Sequence, residues 1–166
     1  MTTSGLVSIM MPAYNAATYI ALAIDSVLAQ EYTSWELLVV DDGSTDQTGE
    51  IVSSFRNDRI RLIRQDNAGE ASARNTALEN MQGEYLAFLD ADDLFTPEHL
   101  VTTVAYLKAH PECDAVYTDG YHINPSGELL PRLSTRRRGP FKGDLFEQLV
   151  RASDVFGPPI CVLVRS

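Results

Sequence analysis

Cysteine is nearly absent from this sequence of 166 residues, which holds only Cys113 and Cys161. They are far apart and form no CxxC pair, which excludes a disulfide framework and a cysteine-based zinc site. Both read as small core residues in a reducing compartment. Long apolar runs are missing as well. Nothing approaches the ~20 apolar residues of a membrane span. Leu6 to Met11 is short and lacks a basic start, so it reads as a strand rather than a secretory leader. The expected location is the cytoplasm, at most peripheral to a membrane. Histidine is scarce: His99, His110 and His122 have no metal-ligand spacing, and His99 and His110 read as surface residues. The one tryptophan, Trp35, reads as a core anchor at the start of a strand.

Positive charge is scarce over most of the chain. Residues 1–131 carry 6 Lys/Arg against 20 Asp/Glu, and residues 132–166 carry 7 against 3, for a net charge of -10. An acidic body lacks the basic footprint that a nucleic-acid backbone requires, so no nucleic-acid partner is expected. It also repels diphosphates unless a metal ion intervenes. What is present is ordinary for a soluble globular protein: 45% apolar and 22% charged residues. The length suits a single domain over residues 1–166.

Apolar runs alternate with amphipathic stretches. Strands are expected at Leu6 to Met11, Trp35 to Val40, Ile60 to Arg64, Tyr85 to Leu89, Asp114 to Ile123 and Ile160 to Val164. The unbroken Leu37-Leu38-Val39-Val40 suggests burial on both faces, as in a parallel sheet. Helices are expected at Ala16 to Gln30, capped by Asn15 or Thr18, and at Thr45 to Phe55, capped by Ser44 or Thr45. A third runs from Gly69 to Met81, with Arg74, Ala77, Leu78 and Met81 on one side and Gly83 ending it. A fourth runs from Thr96 to about Ala109, with Pro97 in its first turn. Asn124-Pro125-Ser126-Gly127 reads as a hairpin turn. Arg132, Arg136, Arg137, Arg138 and Lys142 read as a mobile loop, open to solvent or meeting a diphosphate or anionic acceptor. A short helix is expected at Asp144 to Arg151. This alternation means an α/β fold with a Rossmann-like, doubly wound, mostly parallel sheet.

Ligands of such sheets bind at the carboxyl ends of the strands. Pro12 to Asn15, Asp41-Asp42, Asp66 and Asp90 to Asp93 all lie there. In Asp90-Ala91-Asp92, alternate residues of an extended segment would point the same way, bringing two carboxylates to one site. Mg²⁺ and Mn²⁺ prefer oxygen ligands, and Mg²⁺ commonly takes one or two carboxylates plus substrate phosphates. The bland alternative is a solvated acidic turn. Asp42 could accept a hydrogen bond from a uracil N3–H or a ribose hydroxyl, or it could simply open a turn with Gly43, with Asp46 helping to cap the helix that follows.

The segments VSIMMPAYNAATYIALAIDSVLAQEYTSWELLVVDDGSTDQT, DNAGEASARNTAL and GEYLAFLDADD resemble the family 2 inverting glycosyltransferases of GT-A fold. The resemblance covers residues 6 to about 110 and continues more loosely beyond. It implies a metal-dependent enzyme that moves a sugar from a nucleotide-diphosphate sugar, with UDP favoured, to a hydroxyl on a glycan, lipid-linked or other acceptor. Pro12, Ala13, Tyr14 and Asn15 would cradle the nucleoside, with Tyr14 stacked on the base and Asp42 reading it. Asn67, Ala68, Gly69 and Arg74 would lie under the nucleotide, although Arg74 could instead pair with Glu70 one turn back. Asp90, with Ala91 beside it, would touch the ribose or sugar. Asp92 would ligate Mn²⁺ or Mg²⁺.

The pattern departs from the family in one respect. The Glu-Asp motif that supplies the family's catalytic base is expected past the last strand, and the sequence reaches Ser166 without it. The base is therefore expected beyond Ser166. Within the sequence the catalytic residue is unknown, with Asp119 as a weak substitute. The expectation is a chain truncated on its carboxyl side, with residues 1–110 a nucleotide-binding half and 111–166 the start of an incomplete acceptor-side half. Such a piece would expose an apolar face and self-associate, as a homodimer for example. The alternative is a nucleotide-sugar-binding module without turnover. A haloacid-dehalogenase-like phosphatase would need the DxD after the first strand. A receiver domain would need an acid pair there, and a nucleotidyltransferase a glycine-rich basic loop. None of these is present.

Overall fold

The computed structural model describes residues 2–124, 126–135, 143 and 159–166. The expected helix at 144–151 and residues 136–142 of the expected loop lie outside the described residues; Arg132, expected in that loop, instead ends a strand, Leu129–Arg132, and its Nε donates to the Tyr121 hydroxyl at 2.6 Å. Eight strands are described: β1 Thr3–Ala13, β2 Trp35–Asp42, β3 Ile60–Gln65, β4 Gly83–Phe88, β5 Ala115–Tyr117, β6 Tyr121–Ile123, β7 Leu129–Arg132 and β8 Val162–Arg165. The helices are α1 Ile20–Leu28, α2 Thr48–Ser54, α3 Glu70–Asn80 and α4 His99–Ala109.

Six strands form one sheet in the order β3-β2-β1-β4-β8-β5. The first four are parallel. β8 runs antiparallel between β4 and β5. This is the mostly parallel, doubly wound sheet that the strand–helix alternation predicts. The chain steps outward from β1 through β2 to β3, then crosses back to place β4 on the other side of β1. That reversal opens a crevice at the carboxyl ends of β1 and β4.

Alternation along the strands sorts the core into two faces. Ile9, Met11, Leu37, Val39, Tyr85 and Ala87 pack with Ile20, Ile24 and Val27 of α1, Val52 of α2 and Leu100, Val104 and Leu107 of α4. Met10, Leu38, Val40 and Leu86 pack with Ala73 and Ala77 of α3. β2 is buried along its whole length, which explains its lack of polar alternation. Trp35 is buried, with the Arg59 guanidinium 3.7 Å above its ring. Gln30 ties α1 to α4: its amide donates to Thr96 O at 2.7 Å, and its oxygen accepts from Leu100 N–H at 3.1 Å.

Several expectations need correction. α1, α2 and α4 begin later than their patterns suggest. Neither Asn15 nor Thr18 caps α1, and neither Ser44 nor Thr45 caps α2, because residues 15–17 and 44–48 hydrogen-bond to each other instead; Asp46 does meet the start of α2, accepting from Thr48 N–H at 3.0 Å. Leu78 is exposed and Ala73 takes the inner face of α3; small residues let this helix lie close to the sheet. Gly83 does not end α3. It begins β4, where a Cβ would stand 2.6 Å from Leu6 O of β1. The expected strand Asp114 to Ile123 is two strands. Thr118 N–H donates to Cys161 O at 2.8 Å. Past that bond the chain leaves β8 and turns at Asp119-Gly120 to pair β6 with β7. Ile160 belongs to a 3-10 turn, Pro159–Cys161, ahead of β8. His99 is not a surface residue. It stacks on Phe95 with ring centroids 4.3 Å apart, and burial lowers its pKa from 6.5 to about 4.

Candidate functional site

A cleft of about 670 Å³ opens at the carboxyl ends of β1, β2 and β4. Pro12, Ala13, Tyr14 and Asn15 form one wall, and Asn67, Gly69 and Asp42 another. Asp90, Ala91 and Asp92 close the end beside β4. Ten of the twelve residues assigned to the nucleotide sugar and metal thus share one space. The other two stand behind the wall: Ala68 donates its N–H to Asp42 and Arg74 contacts Asp90.

Asp42 lies at the base of this cleft and is buried. Its Oδ1 accepts from Gln65 Nε2 at 2.7 Å and Ala68 N–H at 2.9 Å, and its Oδ2 accepts from Gly69 N–H at 2.8 Å. Burial pushes its carboxyl up, but the bonds from Ala68, Gln65 and Gly69 together outweigh burial and hold it below the usual carboxylate value. Gly43 follows with φ 76°, and a Cβ there would stand 2.8 Å from Asn67 N. Only glycine allows the β2 and β3 exits to approach so closely. Asp41 faces away from the cleft, accepts from Ser44 N–H at 3.0 Å and meets Arg64 at 3.8 Å.

The segment Asp90 to Asp93 is a turn, not the extended run expected. Asp93 N–H donates to Asp90 O at 3.0 Å. Asp90 and Asp92 nevertheless reach the same cleft. Asp90 Oδ1 is 2.8 Å from Arg74 Nη2, and the same nitrogen is 2.5 Å from Glu70 Oε1. The expected pair with Glu70 is present, and Arg74 holds Asp90 as well. Asp92 is exposed and makes no hydrogen bond or ion pair with the described residues. Burial, joined by the charges of Asp90 and Asp92, pushes Asp93 up to about 6, with His122 opposing. Among the described residues, no group of three or more His, Cys, Asp or Glu is arranged to hold a metal unaided.

The profile of Glycosyl transferase family 2 matches residues 8–164. The chain belongs to glycosyl transferase family 2. An uncharacterized glycosyltransferase of Rickettsia felis is 34% identical over 93% of this chain, and the match spans 25% of that protein's length. Among solved structures of the GT-A fold, S. aureus TarS 1–349 in complex with UDP-GlcNAc superposes with TM-score 0.75 at 26% identity, over 96% of this chain and 45% of that one. The mannosyltransferase PcManGT from Pyrobaculum calidifontis, in complex with GDP-Man and Mn²⁺, gives TM-score 0.67 at 25% identity, over 96% of this chain and 44% of that one. The chain thus spans a quarter of the length of that curated relative and under half of each solved chain.

Within this family 2 fold, four further residues line the cleft: Ala16, Tyr19, Glu70 and Ala73. The sequence marks Glu70 only as an ion-pair partner and does not single out Ala73. Tyr19 sits at the head of α1 and is 54% exposed, a cost in exposed apolar surface that the helical pattern alone does not explain. Asp66 is exposed and stays outside the cleft.

The substitute base that the sequence offers does not reach this cleft. Asp119 does not line it; its Oδ1 accepts from Gly120 N–H at 2.9 Å. Ser166 does not line it either. Its N–H donates to Glu84 O at 2.9 Å and its hydroxyl to Gly83 O at 3.1 Å. Because β8 runs antiparallel to β4, it delivers Ser166 to the amino end of β4, whereas the cleft opens at the carboxyl end. No helix among the described residues is long and apolar enough to cross a membrane.

Proposed function

We propose that this chain binds the donor of an inverting, metal-dependent glycosyl transfer: a nucleotide-diphosphate sugar, with a UDP-sugar favoured. Residues 1–110 form the nucleotide half, and residues 111–166 begin the side that meets a glycan, lipid-linked or other hydroxyl acceptor. The observation that carries this reading is the convergence of Tyr14, Asp42, Asn67, Asp90 and Asp92, from four strand ends, on one cleft. A carboxylate offers roughly four acceptor positions. Protein donors fill three on Asp42, leaving one for a uracil N3–H. Tyr14 is 53% exposed in the cleft wall, free to stack on a base.

Mn²⁺ or Mg²⁺ fits the donor set. Asp42, Glu70, Asp90 and Asp92 make the wall acidic, which opposes a bare diphosphate. Asp90 is committed to Arg74, so Asp92 is the carboxylate left to hold a cation whose other ligands come from phosphate oxygens. The bound cation supplies Lewis-acid compensation for charge building on the departing phosphate. The PcManGT complex, with GDP-Man and Mn²⁺, supports the same pairing of diphosphate and cation. Arg74 fixes Asp90, and Asp42 fixes the loop that carries Ala68 and Gly69.

A second reading, donor binding without turnover, is favoured by the position of Asp119 outside the cleft. An acceptor hydroxyl needs a positioned base. Calorimetry with UDP and Mn²⁺, beside a product assay with UDP-sugars, tests both readings. Manganese-dependent binding that Asp92→Asn abolishes supports the donor site. Product separates enzyme from binding module. Absence of UDP, GDP and dTDP binding with either metal defeats both.

A further inference from the structure

Asp46 lies outside the cleft, yet it anchors the loop that forms the cleft's nucleoside wall. Its Oδ2 accepts from Ala17 N–H at 3.0 Å. Its Oδ1 accepts from Thr48 N–H at 3.0 Å and the Thr48 hydroxyl at 2.5 Å. Thr48 Oγ1 accepts in turn from Ala16 N–H at 2.8 Å. Ser44 Oγ accepts from Asn15 N–H at 3.0 Å, and Asn15 Oδ1 accepts from Thr45 N–H at 2.9 Å. Residues 15–17 are thus clasped by residues 44–48.

The loop needs this clasp. Residues 14–19 belong to no strand or helix. Asn15 stands at φ 51°, the left-handed region, which an unheld non-glycine residue leaves readily. Tyr14 and Tyr19 are each more than half exposed, so core packing does not fix their direction. The Asp46 carboxylate thus ties Ala17, in the loop ahead of α1, to Thr48, the first residue of α2.

We propose that Asp46 is a positioning residue for nucleotide binding, acting through Ala17 and Thr48 to hold Tyr14 and Tyr19 in place before the ligand arrives. The inference rests on the nucleotide-binding reading of the cleft. A loop that is already ordered spares the ligand the cost of ordering it, and that saving appears as affinity.

The test compares the wild-type chain with Asp46→Ala, Asp46→Asn and Ser44→Ala. UDP affinity at saturating Mn²⁺ is measured by calorimetry, and amide hydrogen exchange is followed residue by residue. In Asp46→Ala, exchange at Ala16 and Ala17 should quicken about tenfold while Val39 and Val40 keep their protection. UDP affinity should fall about tenfold. Asp46→Asn, which retains one acceptor oxygen, should lie between. Ser44→Ala should show the same coupling at Asn15 if Asp46→Ala does not fold. Saturating UDP should restore the lost protection. Faster loop exchange with unchanged UDP affinity overturns the proposal, as does faster exchange throughout the sheet, which marks a merely structural role. A wild-type chain that binds no nucleotide instead refutes the reading of the cleft itself.

Discussion

Arg74 Nη2 lies 2.8 Å from Asp90 Oδ1, so the acid that opens the Asp90-Ala91-Asp92 turn carries its own counter-charge. Glu70 competes for the same nitrogen from the cleft wall. Arg74 is largely covered, and its Nε has no partner. The guanidinium therefore offsets negative charge beside Asp92 without reaching into the cleft.

Replacing Arg74 by Gln should move two affinities in opposite directions. Asp90 loses its counter-charge, so bare Mn²⁺ should bind more tightly, because an added uncompensated carboxylate attracts a cation. UDP at saturating Mn²⁺ should bind about three- to tenfold more weakly, equivalent to roughly 1 kcal/mol. Manganese titration by electron paramagnetic resonance and UDP titration by calorimetry check the pair. A parallel fall in both would show that Arg74 serves mainly to fold the site.

Asp42→Asn should destabilise the fold by about 1–3 kcal/mol, since an amide cannot accept from Gln65, Ala68 and Gly69 together. The pH dependence has a definite sign. The folded-state pKa of Asp42 lies below its ordinary 3.8: burial raises it, and the three hydrogen bonds bring it down further than burial lifts it. Its contribution is complete above the ordinary value and is lost as pH falls through the folded value. Urea unfolding at several acid pH values should show a shallower loss for Asp42→Asn than for the wild type.

His99 predicts sensitivity in a higher window. Its folded pKa is about 4 against an ordinary 6.5, from burial. The unfolded chain therefore binds the extra proton first. Stability should fall as pH drops from about 6.5 towards 4, by up to about 1.4 kcal/mol per pH unit. Nε2 of His99 is buried without a partner, so His99→Phe should remain folded against Phe95 and lose this dependence. Thermal unfolding of both proteins between pH 7 and pH 4 is the check.

The cleft is legible in the sequence because its residues follow unbroken apolar runs. Leu37 to Val40 and Tyr85 to Leu89 read as buried strands bounded by turn residues, so the acids after them are expected at one edge. The far half of the sheet is harder to read. Residues Asp114 to Ile123 look continuous, but where β5 stops is decided by β8, more than forty residues on. His99 looks like a helix-surface residue because its burial depends on the Phe95 ring, a contact outside the helix. Tyr19 and Glu70 enter the cleft through loop conformation and helix rotation, which periodicity does not encode. The cap of α1 is misread for a related reason: the N–H groups of Ala16 and Ala17 ahead of it are satisfied across about thirty residues, not locally.

β8 occupies an interior place in the sheet, flanked by β4 and β5 on its two sides. This imposes an order on assembly. The four parallel strands can close early, since each joins a neighbour already made. β5 has no docking edge until Val162 to Arg165 arrive, and meanwhile the open edge of β4 presents unpaired backbone groups. During synthesis the nascent chain must shield that edge, so slowing translation between residues 117 and 162 should promote entanglement with other chains.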